Sequence, residues 1–153
     1  MKLSVYLSLL AEAETTLADS FLQVSEAHGA EPDVHFLCLT MAAQCRAHRG
    51  LLDRVVEQYG EAPADDEPER LHAQGMSGTR TGPLGLLRDL QDLYLLASFC
   101  DVTWIMVKQA AQALRDPGLL DVVEACEHEI RVQVQWLETR MKQAAPQALI
   151  AAS

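Results

Sequence analysis

The chain has 153 residues, room for one domain, and its 49% hydrophobic and 22% charged residues are the balance of a globular protein. Twelve Lys and Arg against 22 Asp and Glu give a net charge of −10, which repels phosphate backbones and anionic lipid. Nucleic acid and membrane surfaces are therefore not expected partners.

Helical periodicity predicts four helices and no strand. The first runs from about Leu3 to His28 and the second from about Asp33 to Tyr59. Gly29 and Pro32 separate them, because glycine suits a helix C-terminus and proline suits the first turn of the next helix. So short a connection makes the two helices antiparallel neighbours.

Residues 60–83 are rich in proline and glycine, which predicts a linker with a short helical turn around Glu69 to Gln74. The third helix covers about Leu84 to Leu114 and the fourth about Leu119 to Ala144, where Pro146 stops it. Helices of this length measure roughly 40 Å, and only a crossover along the whole bundle needs so long a linker. The sequence therefore favours an all-α four-helix bundle in up-down-down-up order over an up-down-up-down bundle with an idle loop.

A few ionisable residues interrupt the apolar stripes of these helices. Such residues are costly to bury unless they are paired or bind a metal, so they are the candidate site residues. Glu14 lies between Leu10 and Leu17 at helical spacing, and His48 lies between Cys45 and Leu52. Two further candidates lie on the third and fourth helices: Asp101 and Glu127.

The turn between the first two helices sets which of these residues meet. Glu14 and His48 are equally far along the chain from that turn, so a carboxylate and an imidazole should lie opposite each other in the core. The same reasoning for the last two helices brings Glu127 close to Lys108, with Asp101 more than one turn away.

The pattern resembles the ferritin-like superfamily, in which two helical hairpins are joined by a long crossover. Its di-iron members carry Glu on helix one, Glu-x-x-His on helix two, Glu on helix three and Glu-x-x-His on helix four. In this sequence a thiol replaces one of the glutamates and an isoleucine replaces one of the histidines. The matching positions are Glu14, then Cys45 with His48, then Asp101, then Glu127 with Ile130.

The resemblance implies a metal site, and three alternatives follow from the residues. A di-iron centre needs about six ligands, mostly oxygen donors. A single ion, such as zinc, could be bound by Glu14, Cys45 and His48. Without metal, Glu14 would pair with His48, Glu127 would pair with Lys108, and Cys45 would only fill the core.

The sequence contains no glycine-rich phosphate loop and no nucleophile–base arrangement, so it predicts no catalytic or nucleotide-binding residue. We expect a non-catalytic interaction or scaffold protein whose metal site is degenerate or absent. The alternative is a small metal-binding or redox protein that holds iron or zinc. Its candidate ligands are Glu14, Cys45, His48, Asp101 and Glu127.

Several apolar residues are left off the main stripes, and they predict a patch that is covered in a homodimer or by another protein. These residues are Leu9, Leu87, Tyr94, Leu95 and Trp136. By contrast, the positions of His28, His35 and His72, at helix ends or in the linker, indicate surface residues.

The cysteines and the apolar runs indicate the cellular compartment. No CxxC pair occurs and each cysteine has apolar neighbours, which favours buried, reduced thiols: Cys38, Cys45, Cys100 and Cys126. No uninterrupted apolar run approaches the roughly 18 residues of a membrane span, and acidic residues follow the first apolar stretch too soon for a signal peptide. The sequence therefore predicts a cytoplasmic protein.

Overall fold

The computed structural model describes residues 1–61 and 74–152. These residues form four long α-helices, and none of them is in a strand, so the predicted all-α four-helix architecture is confirmed. The predicted turn around Glu69 to Gln74, except for Gln74 itself, and His72 lie outside the described residues. The helices are α1 (Leu3–Ala27), α2 (Pro32–Tyr59), α3 (Gly82–Leu114) and α4 (Pro117–Pro146), and a short π-helix (Gln147–Ala151) follows.

Proline and polar capping set the helix ends. Both α3 and α4 begin two residues earlier than predicted, since Pro83 and Pro117 lie in the first turn, where a fixed φ and a missing N–H cost nothing. The side chain of Asp116 accepts a hydrogen bond from the backbone N–H of Leu119 at 3.1 Å and caps α4. At the other end of α3, Arg115 adopts a left-handed φ of 53° and closes the helix.

The fourth α-helix ends at Pro146, as predicted, but a π-helix follows it directly to Ala151, which the sequence did not indicate. Proline removes one backbone donor, but within the last turn of a helix only one intrahelical hydrogen bond is lost. The buried side chains of Ala144 and Ala148 hold this end against the bundle.

The core is built by side chains from all four helices. Helix α1 packs against α2 and also against α3. Glu14 of α1 contacts Trp104 late in α3, whereas His28 at the end of α1 contacts Asp89 early in α3. Because residues later in α1 meet residues earlier in α3, these two helices are antiparallel.

Helices α3 and α4 form the second hairpin, and α4 also meets α2. Asp33 at the start of α2 pairs with Arg140 near the end of α4, and His48 further along α2 contacts Glu129. The same reversed order shows that α2 and α4 are antiparallel. Every pair of neighbouring helices that packs closely is therefore antiparallel.

Helix α3 is the one described helix that is long and apolar enough, by length and composition, to cross a membrane. Its most apolar window has a mean hydropathy of 1.3, and 44% of that window is buried inside the structure. The sequence expectation missed it because polar residues such as Asp101 interrupt the apolar run. A core helix of a bundle satisfies the same length and composition test, and α3 supplies core residues such as Leu90, Leu93 and Trp104.

The predicted apolar patch is only partly at the surface. Leu9 is buried, so its assignment to the patch is wrong: a helix packed between two neighbours buries more than one narrow stripe. Leu87, Tyr94 and Trp136 are half-buried against the core, and Leu95 is 60% exposed.

Candidate metal centre

Glu14 is a fully buried carboxylate in the middle of α1, with 0% of the residue exposed. Its Oε1 accepts a hydrogen bond from the indole Nε1 of Trp104 at 2.8 Å and lies 3.2 Å from Nδ1 of His48. Its Oε2 is buried and has no hydrogen-bond partner. A buried carboxylate oxygen without a hydrogen-bond partner is costly, so this lone pair is available to a cation.

The imidazole of His48, on α2, lies between two carboxylates. Nδ1 faces Glu14, as the sequence predicted, and Nε2 lies 3.0 Å from Oε1 of Glu129 on α4. Two ionised carboxylates would both accept a hydrogen bond from the ring, which is the pattern of an imidazolium. Burial lowers the pKa of His48, but the hydrogen bonds and charges of Glu14 and then Glu129 raise it above 6.5 overall.

Cys45, one turn before His48 on α2, is fully buried. The side-chain amide of Gln133 on α4 lies 3.7 and 3.8 Å from its Sγ. Burial raises the pKa of this thiol well above 9.0, and the charge of Glu14 raises it further. The predicted buried, free thiols are confirmed for all four cysteines.

Glu14, Cys45 and His48 form one compact donor group, in which a ligand atom from each lies within 4.8 Å of the other two. Tetrahedral zinc with bonds near 2.1 Å to nitrogen and oxygen places these ligands about 3.4 Å apart. The 3.2 Å between Glu14 Oε1 and His48 Nδ1 is close to that spacing. Carboxylate, imidazole and thiolate are all zinc ligands, so the donor set fits a single ion of this class.

Asp101 and Glu127 lie apart from this group, on α3 and α4. Glu127 accepts a hydrogen bond from Arg131 at 2.8 Å, and its other oxygen lies 3.3 Å from Nζ of Lys108, the pair that the sequence predicted. Asp101 lies 3.9 Å from Arg131. Burial raises the pKa of Asp101, and Glu127 also raises it, while Arg131 lowers it.

A di-iron centre does not fit these residues. Two iron ions need about six ligands, most of them oxygen donors with negative charge to neutralise them. In the part of the chain described here, the only group of three or more potential ligands combines one carboxylate with a thiol and an imidazole. The remaining two carboxylates, Asp101 and Glu127, are already paired with Lys108 and Arg131, whose charges neutralise theirs.

The sequence reasoning missed three side chains around the donor group: Trp104 and Gln133 as hydrogen-bonding groups, and Glu129. The sequence argument paired residues only within a helical hairpin, α1 with α2 and α3 with α4. The contact of His48 with Glu129 joins the two hairpins, because it links α2 to α4. Pairing residues at the same height on the antiparallel helices α2 and α4 would have identified Glu129 as a neighbour of His48. Burial raises the pKa of two more thiols, Cys100 and Cys126, and the charge of Glu14 adds to the effect on both; the pKa of Cys126 reaches about 12.

The prediction of His28 as a surface residue is also wrong. Its Nε2 lies 2.7 Å from Oδ2 of Asp89, which is fully buried on α3. Arg80 completes the cluster, because its backbone N–H and its guanidinium both donate to Asp89 at 2.9 Å. Asp89 follows Leu86 and precedes Leu93 at helical spacing, which was the signal for an inward carboxylate.

Comparison of the chain with protein families, with curated proteins and with solved structures finds no match.

Proposed function

We propose that this protein is a ferritin-like bundle that binds one divalent transition-metal ion of the zinc class in its core. Glu14, Cys45 and His48 would be its ligands, and Glu129 would hold the far nitrogen of the histidine. The ion would occupy the position of one of the two irons in a di-iron centre. At the position of the second iron, Asp101 and Glu127 would pair with Lys108 and Arg131 instead.

The contacts between helices support the ferritin-like part of the proposal. With α1 antiparallel to α2 and to α3, helices α2 and α3 point the same way. Because α2 ends at Tyr59 and α3 begins at Gly82, parallel α2 and α3 favour a connection that returns along the bundle. This supports the up-down-down-up order, the arrangement that separates this superfamily from simple up-and-down bundles.

One observation carries the metal part of the proposal: three donor atoms converge within 4.8 Å of one another in the core, and beside them Glu14 Oε2 has no hydrogen-bond partner. An ion pair between Glu14 and His48 alone would satisfy Oε1 of Glu14 and leave its Oε2 without a hydrogen-bond partner. A cation bound between the three side chains satisfies the remaining lone pair and neutralises the buried charge.

The donors favour zinc over iron as the physiological class. A thiolate is a soft ligand, and a mixed Cys, His and carboxylate set is characteristic of zinc. Ligating histidines commonly donate their second N–H to a carboxylate, which fixes the tautomer and orients the ring. Glu129 lies 3.0 Å from Nε2 of His48, as that role requires.

The proposal is tested by titrating the chelator-treated protein with Zn²⁺ in competition with a zinc indicator. We expect one ion per chain in the wild type and an affinity lower by about 100-fold or more in Cys45→Ser. Binding of Co²⁺ should give a thiolate-to-cobalt charge-transfer band that is absent in the same variant. The matched control is Cys38→Ser, which removes another buried thiol of α2 and should bind as the wild type does.

Two results would contradict the proposal. The first is a wild-type protein, folded by circular dichroism, that binds no zinc at micromolar concentration. The second is Cys45→Ser with wild-type affinity and an unchanged cobalt spectrum, which would place any bound ion elsewhere.

A second candidate function, an interaction module that pairs with a copy of itself, is supported by one face of α3. Leu95, Val102 and Met106 recur there at helical spacing, and each is at least 44% exposed. The sequence positions that complete this face are uncharged, Ser98 and Phe99 among them. Two copies that each carry a net charge of −10 could therefore meet here without opposing like charges.

Sedimentation at micromolar concentration tests this second candidate. We expect a dimer for the wild type and a monomer for Val102→Glu, because a buried carboxylate at the centre of the face has no partner. A wild type that sediments as a monomer would remove this candidate and leave the metal proposal unaffected.

A further inference from the structure

The surface between α2 and α4, called here the α2–α4 seam, differs from the other helix contacts. Of the four helix pairs that pack together, α2 and α4 have the least extensive contact. Polar side chains link them along their length in the described residues. The pairs are Asp33–Arg140, Gln44–Gln133 and His48–Glu129, with Tyr59 bound to Asp116, the N-cap of α4.

Two of these cross-links lead directly to the proposed ligands. Glu129 is 40% exposed on its side chain and contacts His48, which is 1% exposed and in turn contacts the fully buried Glu14. Beside it, the half-buried Gln44 contacts the buried Gln133, whose amide lies against Cys45. Both lines of polar side chains run from the surface at the seam to the donor group.

The opposite side of the donor group is closed by apolar packing. Trp104 of α3 is fully buried and donates to Glu14, so its indole ring stands between the carboxylate and the far side of the bundle. Leu10, Leu17 and Leu52, one turn from the ligands on α1 and α2, are fully buried as well. Moving a divalent ion through apolar packing costs far more free energy than moving it along a path lined by a carboxylate.

We infer that a divalent ion enters and leaves the core through the α2–α4 seam, and that Glu129 is the residue that passes it between solvent and His48. This inference rests on the proposed metal site. Glu129 offers a negative charge at the surface end of the path, where the ion still keeps part of its water. His48 and Glu14 then replace the remaining water inside the bundle.

The inference is tested by measuring two rates with Zn²⁺ and a zinc indicator in stopped flow. These are the uptake of zinc by the metal-free protein and its release to excess chelator. The variants are Glu129→Gln, which keeps an acceptor for His48 but removes the charge, and Glu129→Asp, which keeps the charge. The matched control is Glu124→Gln, the same change at an exposed position of α4.

We expect Glu129→Gln to slow both uptake and release by about tenfold, with a smaller change in Kd, because the charge acts on the path in both directions. Glu129→Asp should recover most of both rates, and Glu124→Gln should behave as the wild type. Circular dichroism of each variant shows that it is folded.

The outcomes separate three situations. If Glu129→Gln releases zinc faster and takes it up at the wild-type rate, Glu129 only orients His48, and the inference is overturned. If neither rate changes, the ion enters elsewhere, and the inference is again overturned while the proposed site stands. If the wild type binds no zinc, the proposed function itself fails.

Discussion

The core of this bundle holds two carboxylate clusters with opposite chemistry. Around Glu14, the neighbours are a histidine and a thiol, which bind metal when they lose a proton. Around Glu127, the neighbours are the cationic side chains of Lys108 and Arg131, which in that form have no lone pair to offer a metal ion. Glu14 has one charged neighbour, His48, whose proton can be lost, whereas Glu127 has two cationic neighbours, Lys108 and Arg131.

The comparison shows that the partner of a buried carboxylate decides what the carboxylate can do. A fixed cation stabilises it and closes the position to a metal ion. A group that can exchange its proton for a metal ion stabilises it and keeps the position open. A bundle with both kinds of partner is expected to hold one ion, at the cluster around Glu14.

The largest effect on stability is expected at His48, in the cluster around Glu14. His48→Ala leaves Glu14 buried without its charged partner, so the free energy of unfolding of the metal-free protein should fall by about 3–5 kcal/mol. Urea denaturation measures this change. His128→Ala replaces an exposed histidine of α4 and should change the free energy by less than about 0.5 kcal/mol. A loss below about 1 kcal/mol at His48 would mean that the Glu14 pair does not stabilise the core.

A smaller effect on stability is expected at Lys108, in the cluster around Glu127. Lys108→Met should cost about 1–3 kcal/mol, because Glu127 keeps Arg131 and Lys108 is itself partly exposed. Zinc stoichiometry should stay at one per chain. Lys142→Met, at an exposed ion pair of α4, is the control and should be near neutral. If Lys108→Met also abolished zinc binding, the two clusters would not be independent.

Much of the fold followed from the sequence, because helix periodicity and helix breakers are local signals. The apolar stripes placed Glu14 and His48 inside, and the short turn after α1 set them at one level. The same local rules did not indicate the π-helix after Pro146, whose buried Ala148 packs against the bundle. They failed again at Leu9, since burial depends on how many neighbours surround a helix.

The residues that complete the candidate site could not be read from any single helix. Glu129 is partly exposed, and only the approach of α2 to α4 brings it to His48. Lys108 was predicted to meet Glu127, but the contribution of Arg131 to the same carboxylate was not. Pairing between hairpins is set by topology, which local periodicity does not encode.

The buried cluster at the far end of the bundle has a consequence for the axial alignment of the helices. Apolar stripes tolerate sliding, because one leucine replaces another after a turn of about 5.4 Å. The 2.7 Å contact between His28 and Asp89 does not: such a slip would separate the two side chains and leave the buried carboxylate of Asp89 with Arg80 alone. The cluster therefore fixes the register of α1 against α3, and with it the meeting of Glu14 and Trp104 on the same two helices.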